Sequence, residues 1–527
     1  MALKQNLKEM ERKREAYWLR YPGTSDLKLR WRAFSVRHCF HVLPGESILE
    51  IGAGSGLWTE HLASVLRGEN PITAAVFNTD FAESAARRKL PDTRIVDVKN
   101  LLTDLPEESF DYVVGTGILC HDEYPDNLEL IRRVLKPGGE FLFFEANHWN
   151  PQVFAKDFIR PLGRWAGHAS CQKGLRRYQL MHIASQHGFT HLDIIPYDLL
   201  HPRTPKFAIP MVRSLAFVLE HSPVIREMCG TLYIWGKKPG DSQSRRPRVN
   251  LAVHRKLFGS TSVVVPCHNE EMNVPKLVDE LVLRYGDYIH EIIIVNDNST
   301  DCTAQVTEEV ARREPRVKLL DRQPPNGVGR ALRDGYAAAT GSYILTMDSD
   351  FVQILPELRD LFDAVAEGYD GAIGSRFSHE SMLVNYPFLK TVSNRGFHLL
   401  VNLLLPLRVR DLSNNLKLYR ADILKSIEIE QPHFAANAET GLKPLLAGYK
   451  IKEVPISWIN RTTGMGQSSF RVVNVAPHYF SALVKIIWKS WRGRDKLAKR
   501  TNENLPSNSQ AGPASEVPSS FLDGPRK

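Results

Sequence analysis

The sequence predicts an α/β protein of two consecutive domains. Two separate series of strand-length apolar runs alternate with helix-length stretches, a polar aperiodic segment divides them, and each series carries a distinctive loop directly behind a strand. At 527 residues the chain is too long for one ordinary core, and 43% apolar with 24% charged residues suits packed globular units.

Residues 1–40 read as a charged helical extension. Residues 47–51 form a strand that runs into the loop Gly52-Ala53-Gly54-Ser55-Gly56, and residues 58–66 a helix behind it. Further strands at 74–77, 112–115 and 140–144, with a helix over 127–135, indicate a parallel sheet covered by helices on both faces. Two closing strands at 191–195 and 231–235 complete a domain at 41–238, and the poorly patterned stretch 151–186 suits a lid. Residues 240–248 are polar and aperiodic, so 239–258 reads as a linker. The second series has strands at 262–265, 291–295 and 317–321 and helices at 274–284, 303–313 and 329–339, within a domain at 259–477.

Residues 478–500 mix Tyr479, Phe480, Leu483, Trp488 and Trp491 with Lys485, Lys489 and Arg492. This basic amphipathic pattern suits an anionic membrane surface or a helix packed on the core. Residues 501–527 hold too little apolar surface to offset the entropy of ordering, which predicts a disordered tail.

A formal charge of +9 fits anionic ligands, a membrane surface or nucleic acid alike. No nucleic-acid recognition module is present and the basic residues follow phosphate-handling motifs, so nucleic acid is set aside. The six cysteines form no close pair of the zinc or redox type, which points to a reducing cytoplasm. The charged start lacks the apolar stretch of a signal peptide, and apolar runs such as 399–407 fall short of the ~20 residues needed to span a bilayer. The expectation is a cytoplasmic chain without signal peptide or transmembrane span, in peripheral contact with the membrane at most.

A glycine loop between strand and helix lets backbone approach a ligand closely, and the helix start behind it favours an anionic group. The spacing is Gly-x-Gly-x-Gly with Leu57 next, whereas a dinucleotide fold wants its third glycine one position later. Asp80 and Asp97 follow the next two strands. With Glu50, the loop and Leu135-Lys136-Pro137-Gly138-Gly139, these residues resemble the class I S-adenosylmethionine-dependent methyltransferases, over about residues 40–150. The resemblance implies a Rossmann-like sheet in which Glu50 lies near the methionine end of S-adenosylmethionine, Gly52, Ala53, Gly54 and Gly56 wrap it, Asp80 holds the ribose and Asp97 the adenine. Asn78-Thr79-Asp80 replaces the family's usual Gly-x-Asp. His121, His148 and Trp149 stand where an acceptor-side base or a packing residue could sit.

In the second half, Asp348-Ser349-Asp350 follows an apolar run. Two carboxylates one residue apart at a strand exit can hold a hard divalent cation, which in turn grips a diphosphate. Val265-Pro266-Cys267-His268-Asn269-Glu270 and Val295-Asn296-Asp297 also end strands in polar turns, and ligands of such sheets gather at the strands' carboxyl ends.

With Asn326-Gly327-Val328-Gly329-Arg330, Gly374-Ser375-Arg376, Ser393-Asn394-Arg395, Asp411-Leu412-Ser413 and Lys417-Leu418-Tyr419-Arg420, the set resembles the family 2 glycosyltransferases of the GT-A fold, on the dolichol- or polyprenyl-phosphate mannose synthase branch. The resemblance implies a UDP- or GDP-linked sugar donor contacted by Pro266, Asn269, Glu270, Asp297 and Arg330, and Mg2+ or Mn2+ on Asp348 and Asp350. Gln353 would complete the metal shell, although one extra residue separates it from the acids. Arg376, Arg395 and Arg461 would face donor and acceptor phosphates. A lipid phosphate is already ionised, so cations that position it suffice; a glycan hydroxyl acceptor would need a base, for which Glu439 is the candidate. Asn414-Asn415 departs from the family's small-residue pattern, which leaves the acceptor open.

The expected protein is bifunctional: an inverting glycosyltransferase that charges polyprenyl phosphate, fused to a methyltransferase that acts on a small molecule, glycan or glycolipid. The alternatives are a hydroxyl acceptor in polysaccharide synthesis and an N-terminal half that binds without catalysis.

Overall fold

The computed structural model describes residues 2–98, 104–119, 124–158, 174–241, 246–459 and 472–491. Two helices, α1 (Ala2–Arg20) and α2 (Pro22–Phe40), precede a seven-stranded sheet. Its strands are β1 (Ile48–Ile51), β2 (Ile72–Val76), β3 (Thr93–Asp97), β4 (Phe110–Thr116), β5 (Leu135–Ala146), β6 (Thr190–Tyr197) and β7 (Thr231–Lys237), in the order β3-β2-β1-β4-β5-β7-β6. The helices α3 (Leu57–Val65), α4 (Thr79–Arg87), α5 (Tyr124–Val134), α6 (Pro151–Phe158), α7 (Arg177–Gln186) and α8 (Ile209–Leu219) accompany it. All four residues of β1 are buried, as a strand covered on both faces requires.

The expected parallel sheet is mixed. β1 to β5 are parallel, but β7 runs antiparallel to both β5 and β6. β6 leaves a gap one strand wide beside β5, and β7 returns through that gap in the opposite direction. An apolar run marks a strand but carries no direction.

The second sheet contains β8 (Thr261–Cys267), β9 (Ile289–Asn296), β10 (Val317–Asp321), β11 (Tyr343–Thr346), β12 (Gly371–Ser375), β14 (Lys417–Arg420) and β15 (Ile451–Pro455), in the order β10-β9-β8-β11-β14-β12-β15. β13 (Leu383–Val384) and β16 (Trp458–Ile459) pair separately. β14 is antiparallel to both its neighbours, so this sheet is mixed too. Its helices are α9 (Val274–Tyr285), α10 (Thr303–Arg313), α11 (Val328–Ala338), α12 (Leu358–Ala366), α13 (Phe388–Leu404), α14 (Ala421–Ser426), α15 (Ala436–Leu446) and α16 (Val472–Trp491).

The two halves are locked through α2 and α12. Arg37 pairs with Asp360 at 3.0 Å, Arg67 with Asp360 and with Asp363 at 2.6 Å, and Arg359 with Glu69 at 2.7 Å. Burial pushes the Asp360 carboxyl up, but the Arg37 and Arg67 guanidiniums outweigh it and hold it below its ordinary value. Buried His38 contacts Ser457 at 2.7 Å, and burial lowers its pKa to about 3. The segment read as a linker is anchored as well: Arg246 pairs with Glu46 and donates to the His41 carbonyl, while Leu251 joins the core of the second half. The stretch 151–186 contributes α6 and α7 at its ends, and the tail 501–527 lies outside the described residues. Among the described residues, no helix is long and apolar enough to cross a membrane.

Candidate active sites

At the exit of β1, Gly52, Gly54 and Gly56 take φ values of 71°, 58° and 81°, a region that favours glycine. A Cβ on Gly54 would also come within 2.7 Å of Glu15 Oε2. This close neighbour belongs to α1, which lies over the loop. Glu11, 1% exposed, accepts hydrogen bonds from the backbone N–H groups of Gly54 (3.0 Å), Phe77 (3.2 Å) and Asn78 (2.9 Å). Glu15 accepts from the Ser55 hydroxyl, and Arg14 donates to the carbonyls of Gly52 and Thr116. Burial raises the Glu11 pKa in spite of Arg14 nearby. The sequence reading missed these residues. Their signal is the i, i+3, i+4 spacing of Glu11, Arg14 and Glu15, which puts three charges on one helix face.

The three carboxylates picked out for this half stand at the carboxyl ends of adjacent parallel strands. Glu50 is 2% exposed, burial raises its pKa to about 7, and its Oε2 has no partner among the described residues. Asp80 lies exposed on the first turn of α4, where Asn78 caps its N–H at 3.3 Å, and Asp97 accepts from the Thr79 hydroxyl at 3.2 Å. An unpartnered buried carboxylate oxygen beside a glycine loop, with two acids further along the rim, fits an amino-acid nucleoside. Glu145, on β5, accepts from the N–H groups of Ile118 (2.7 Å) and Leu119 (2.9 Å), and burial raises its pKa to about 8. Trp149 is 52% exposed and His148 stands 3.5 Å from Arg176, whereas His121 lies outside the described residues.

In the second half the loops after β8 and β9 are stitched together. Asn269 accepts from the Thr300 N–H at 2.8 Å, the Glu270 N–H donates to Thr303 at 2.9 Å, and Pro266, next to last in β8, is the one half-buried residue of that otherwise buried strand. Asp297, 6% exposed, pairs with Arg322 and accepts from the Gly327 N–H at 2.6 Å, which ties it to the loop where Arg330 bonds the Asn326 carbonyl at 2.8 Å. Asp348 accepts from Asn415 at 2.7 Å. Burial first, then the Asp350 charge beside it, raises its pKa to about 7. Two like charges that resist ionising together fit a cation.

Among the described residues, no set of three or more acidic, His or Cys side chains surrounds a metal position. Two carboxylates plus substrate phosphate oxygens are the arrangement Mg2+ commonly takes. Gln353 is exposed on the turn after the acids, and Arg461 lies outside the described residues.

Behind Asp348, Arg376 forks onto Asp411 at 2.7 and 3.0 Å. Fully buried Lys417 donates to the Asn437 carbonyl and the Thr440 hydroxyl, both at 2.7 Å, and burial lowers its pKa to about 7. The signal for Lys417 is a lone cation within the apolar run Leu416-Lys417-Leu418-Tyr419, and Asn415 sits in the doublet that departs from the family pattern. Arg395 stands 5.7 Å over the Phe377 ring. Glu439 is 2% exposed and both its oxygens are engaged, Oε1 by Lys443 at 2.9 Å and Oε2 by the N–H groups of Glu430 and Gln431 at 3.0 and 2.8 Å.

Comparison with family models matches residues 26–160 to the ubiE/COQ5 methyltransferase family and residues 262–428 to glycosyl transferase family 2. The polyprenol monophosphomannose synthase of Mycolicibacterium smegmatis is 29% identical over 221 residues, covering 40% of this chain and 81% of that protein. The dolichol-phosphate mannosyltransferase of Pyrococcus furiosus is 25% identical over 242 residues, covering 45% of this chain and 66% of its own length. Among solved structures, glucosyl-3-phosphoglycerate synthase from Mycobacterium tuberculosis superposes at a TM-score of 0.37 with 16% identity, over 46% of this chain and 84% of that one. The chain thus combines a methyltransferase and a glycosyltransferase, its N-terminal half similar to the ubiE/COQ5 methyltransferases and its C-terminal half to the family 2 glycosyltransferases.

Proposed function

We propose that the C-terminal half transfers a sugar, with inversion, from a UDP- or GDP-linked donor to a polyprenyl phosphate, and that the N-terminal half transfers a methyl group from S-adenosylmethionine to a glycan, glycolipid or small molecule. The observation that carries the glycosyl reading is the Asp348–Asp350 pair at the strand exit, with Asp348 raised to about 7 by burial and its neighbour. Mg2+ or Mn2+ held there would neutralise charge on the departing nucleoside diphosphate. Glu270, Asp297 and Arg330 hold the donor on the rim of β8, β9 and α11. An ionised phosphate oxygen of the acceptor attacks the anomeric carbon from the face opposite the leaving group, so it needs cations to position it and no base. Arg395 supplies that charge, while Arg376, forked onto Asp411, is already neutralised in this structure.

Glu439 favours the phosphate acceptor over a hydroxyl, because its two oxygens are committed to Lys443 and backbone and leave it no hand for a proton. The names of the two relatives, a polyprenol and a dolichol-phosphate enzyme, agree with a lipid phosphate. On the methyl side, Glu50 would hold the amino end of the cofactor, Asp80 its ribose and Asp97 its base, and the chain's contribution is orientation for an in-line displacement. Incubating the full chain with UDP- and GDP-sugars, Mg2+ or Mn2+ and a short polyprenyl phosphate, then reading the lipid fraction by mass spectrometry, tests the proposal. A sugar-phosphate lipid is expected, and transfer solely to a hydroxyl acceptor would overturn it.

A further inference from the structure

Helix α8 of the methyltransferase half packs against α13 of the glycosyltransferase half. Phe217 on α8 sets its ring 6.0 Å from that of Phe377, edge to face. One turn earlier on the same helix, Arg213 donates to the His379 carbonyl. The Phe377 ring also lies under the guanidiniums of Arg376 at 5.9 Å and Arg395 at 5.7 Å. Arg410 joins the group through its carbonyl, 3.5 Å from Arg395. His379 feels the crowd: burial, then the charges of Arg213, Arg410 and Arg395, lower its pKa to about 3.

Arg376 is neutralised by Asp411, but among the described residues no carboxylate lies within ion-pair distance of Arg213, Arg395 or Arg410. The acids nearby are committed elsewhere. Glu380 faces Arg30 at 3.5 Å, Glu220 accepts from the N–H groups of Asp198 and Leu199, and Glu453 accepts from those of Arg410 and Asp411. Arg213 and Arg395 are half-buried without a direct ion pair; Glu380, Glu220 and Asp198 act on Arg213 and Asp411 and Glu453 on Arg395 at longer range, yet burial still lowers both pKa values, a cost that a bound anion would partly recover. A cavity of about 120 Å3 opens beside Arg213 between the halves, lined also by Phe217, His379 and Tyr386 and by the carboxylates Asp198 and Glu220; Arg395 and Arg410 stand outside its lining. On the outward side of α8, away from the cavity, Met211 and Leu215 are 70% and 55% exposed, and on α13 Leu389 and Val392 are 54% and 39% exposed.

We propose that Arg213, from the methyltransferase half, acts with Arg395 and Arg410 to bind the phosphate of an isoprenoid phosphate, whose chain lies along the apolar faces of α8 and α13. The N-terminal half thereby completes the acceptor site of the C-terminal enzyme. This rests on the lipid-phosphate reading above and adds a determinant that lies outside the glycosyltransferase domain.

The test is calorimetric titration of the full chain with farnesyl phosphate, farnesol and inorganic phosphate. The intact protein is expected to bind farnesyl phosphate at least about tenfold more tightly than either control, and R213A to lose about 10- to 100-fold of that affinity. Should R213A fail to fold, R213M, which keeps the packed stem without the charge, carries the same expectation. Equal binding by the substituted and intact chains, or no preference for farnesyl phosphate over the two controls, overturns the site. The lipid product separates the two ideas: glycolipid formed by R213A at the intact KM sinks this site and leaves the function standing. A phosphate preference that depends on Arg213, without any glycolipid, does the reverse.

Discussion

Replacing Glu11 with alanine should tighten S-adenosylmethionine binding by the full chain. In the structure, the backbone N–H groups that a cofactor would use at the glycine loop are taken by this side chain, through bonds of 3.0, 3.2 and 2.9 Å from Gly54, Phe77 and Asn78. Cofactor entry therefore requires α1 to lift, and the apparent affinity is the intrinsic one reduced by the fraction of molecules with the loop free. A hydrogen bond to a charged group contributes about 1.5–3 kcal/mol net. Burial of the carboxylate, which raises its pKa, offsets much of the gain from three such bonds, so the contact as a whole is worth about 1.5 kcal/mol. Removing it should lower the apparent Kd about tenfold, measured by calorimetry with S-adenosylmethionine against the unaltered chain. Glu11→Gln, which keeps one acceptor oxygen, should fall between. An unchanged Kd, or a weaker one, would show that α1 helps to hold the cofactor and does not compete with it.

Asp348→Asn should reduce glycosyl transfer by about 10²–10³-fold and remove the dependence of donor binding on added Mn2+, read by initial rates and by donor titration with and without the ion. Glu145 offers a pH test: its folded pKa of about 8 stands above the ordinary 4.5, so the stability it contributes is present below pH 4.5 and lost as pH rises through about 8. Glu145→Gln should therefore flatten the fall in melting temperature across that window, while an unaltered slope would assign the fall to other groups. Asp360→Ala should cost about 3–5 kcal/mol in denaturant unfolding, because it strands the buried Arg37 guanidinium at the junction of the halves. A loss below about 1 kcal/mol would mean that the junction is held by packing alone.

Both candidate sites were legible wherever they depend on residues contiguous in the chain. Gly52 to Gly56 behind β1, and Asp348 and Asp350 behind β11, announce themselves because a ligand approached by backbone needs glycine, and a cation needs oxygen ligands, at the strand exit. Asn415 and Lys417 were less legible, since each acquires its meaning only when β14 inserts between β11 and β12 and brings them behind Asp348. The engagement of Glu439 was hidden for a similar reason: its partners Glu430, Gln431 and Lys443 are close in sequence, but the turn that aims two N–H groups at one oxygen is a property of the folded loop.

Local pattern by itself determined that there are two α/β units, where most of their strands and helices begin, and which polar and glycine loops stand at the strand exits, because apolar periodicity and loop chemistry are encoded within a few residues. Tertiary structure alone decided strand direction, the contact of α1 with the glycine loop and the hydrogen bond from Arg213 to the His379 carbonyl across the two halves. Those outcomes depend on pairs of residues tens to hundreds of positions apart, and a one-dimensional pattern carries no record of such distances.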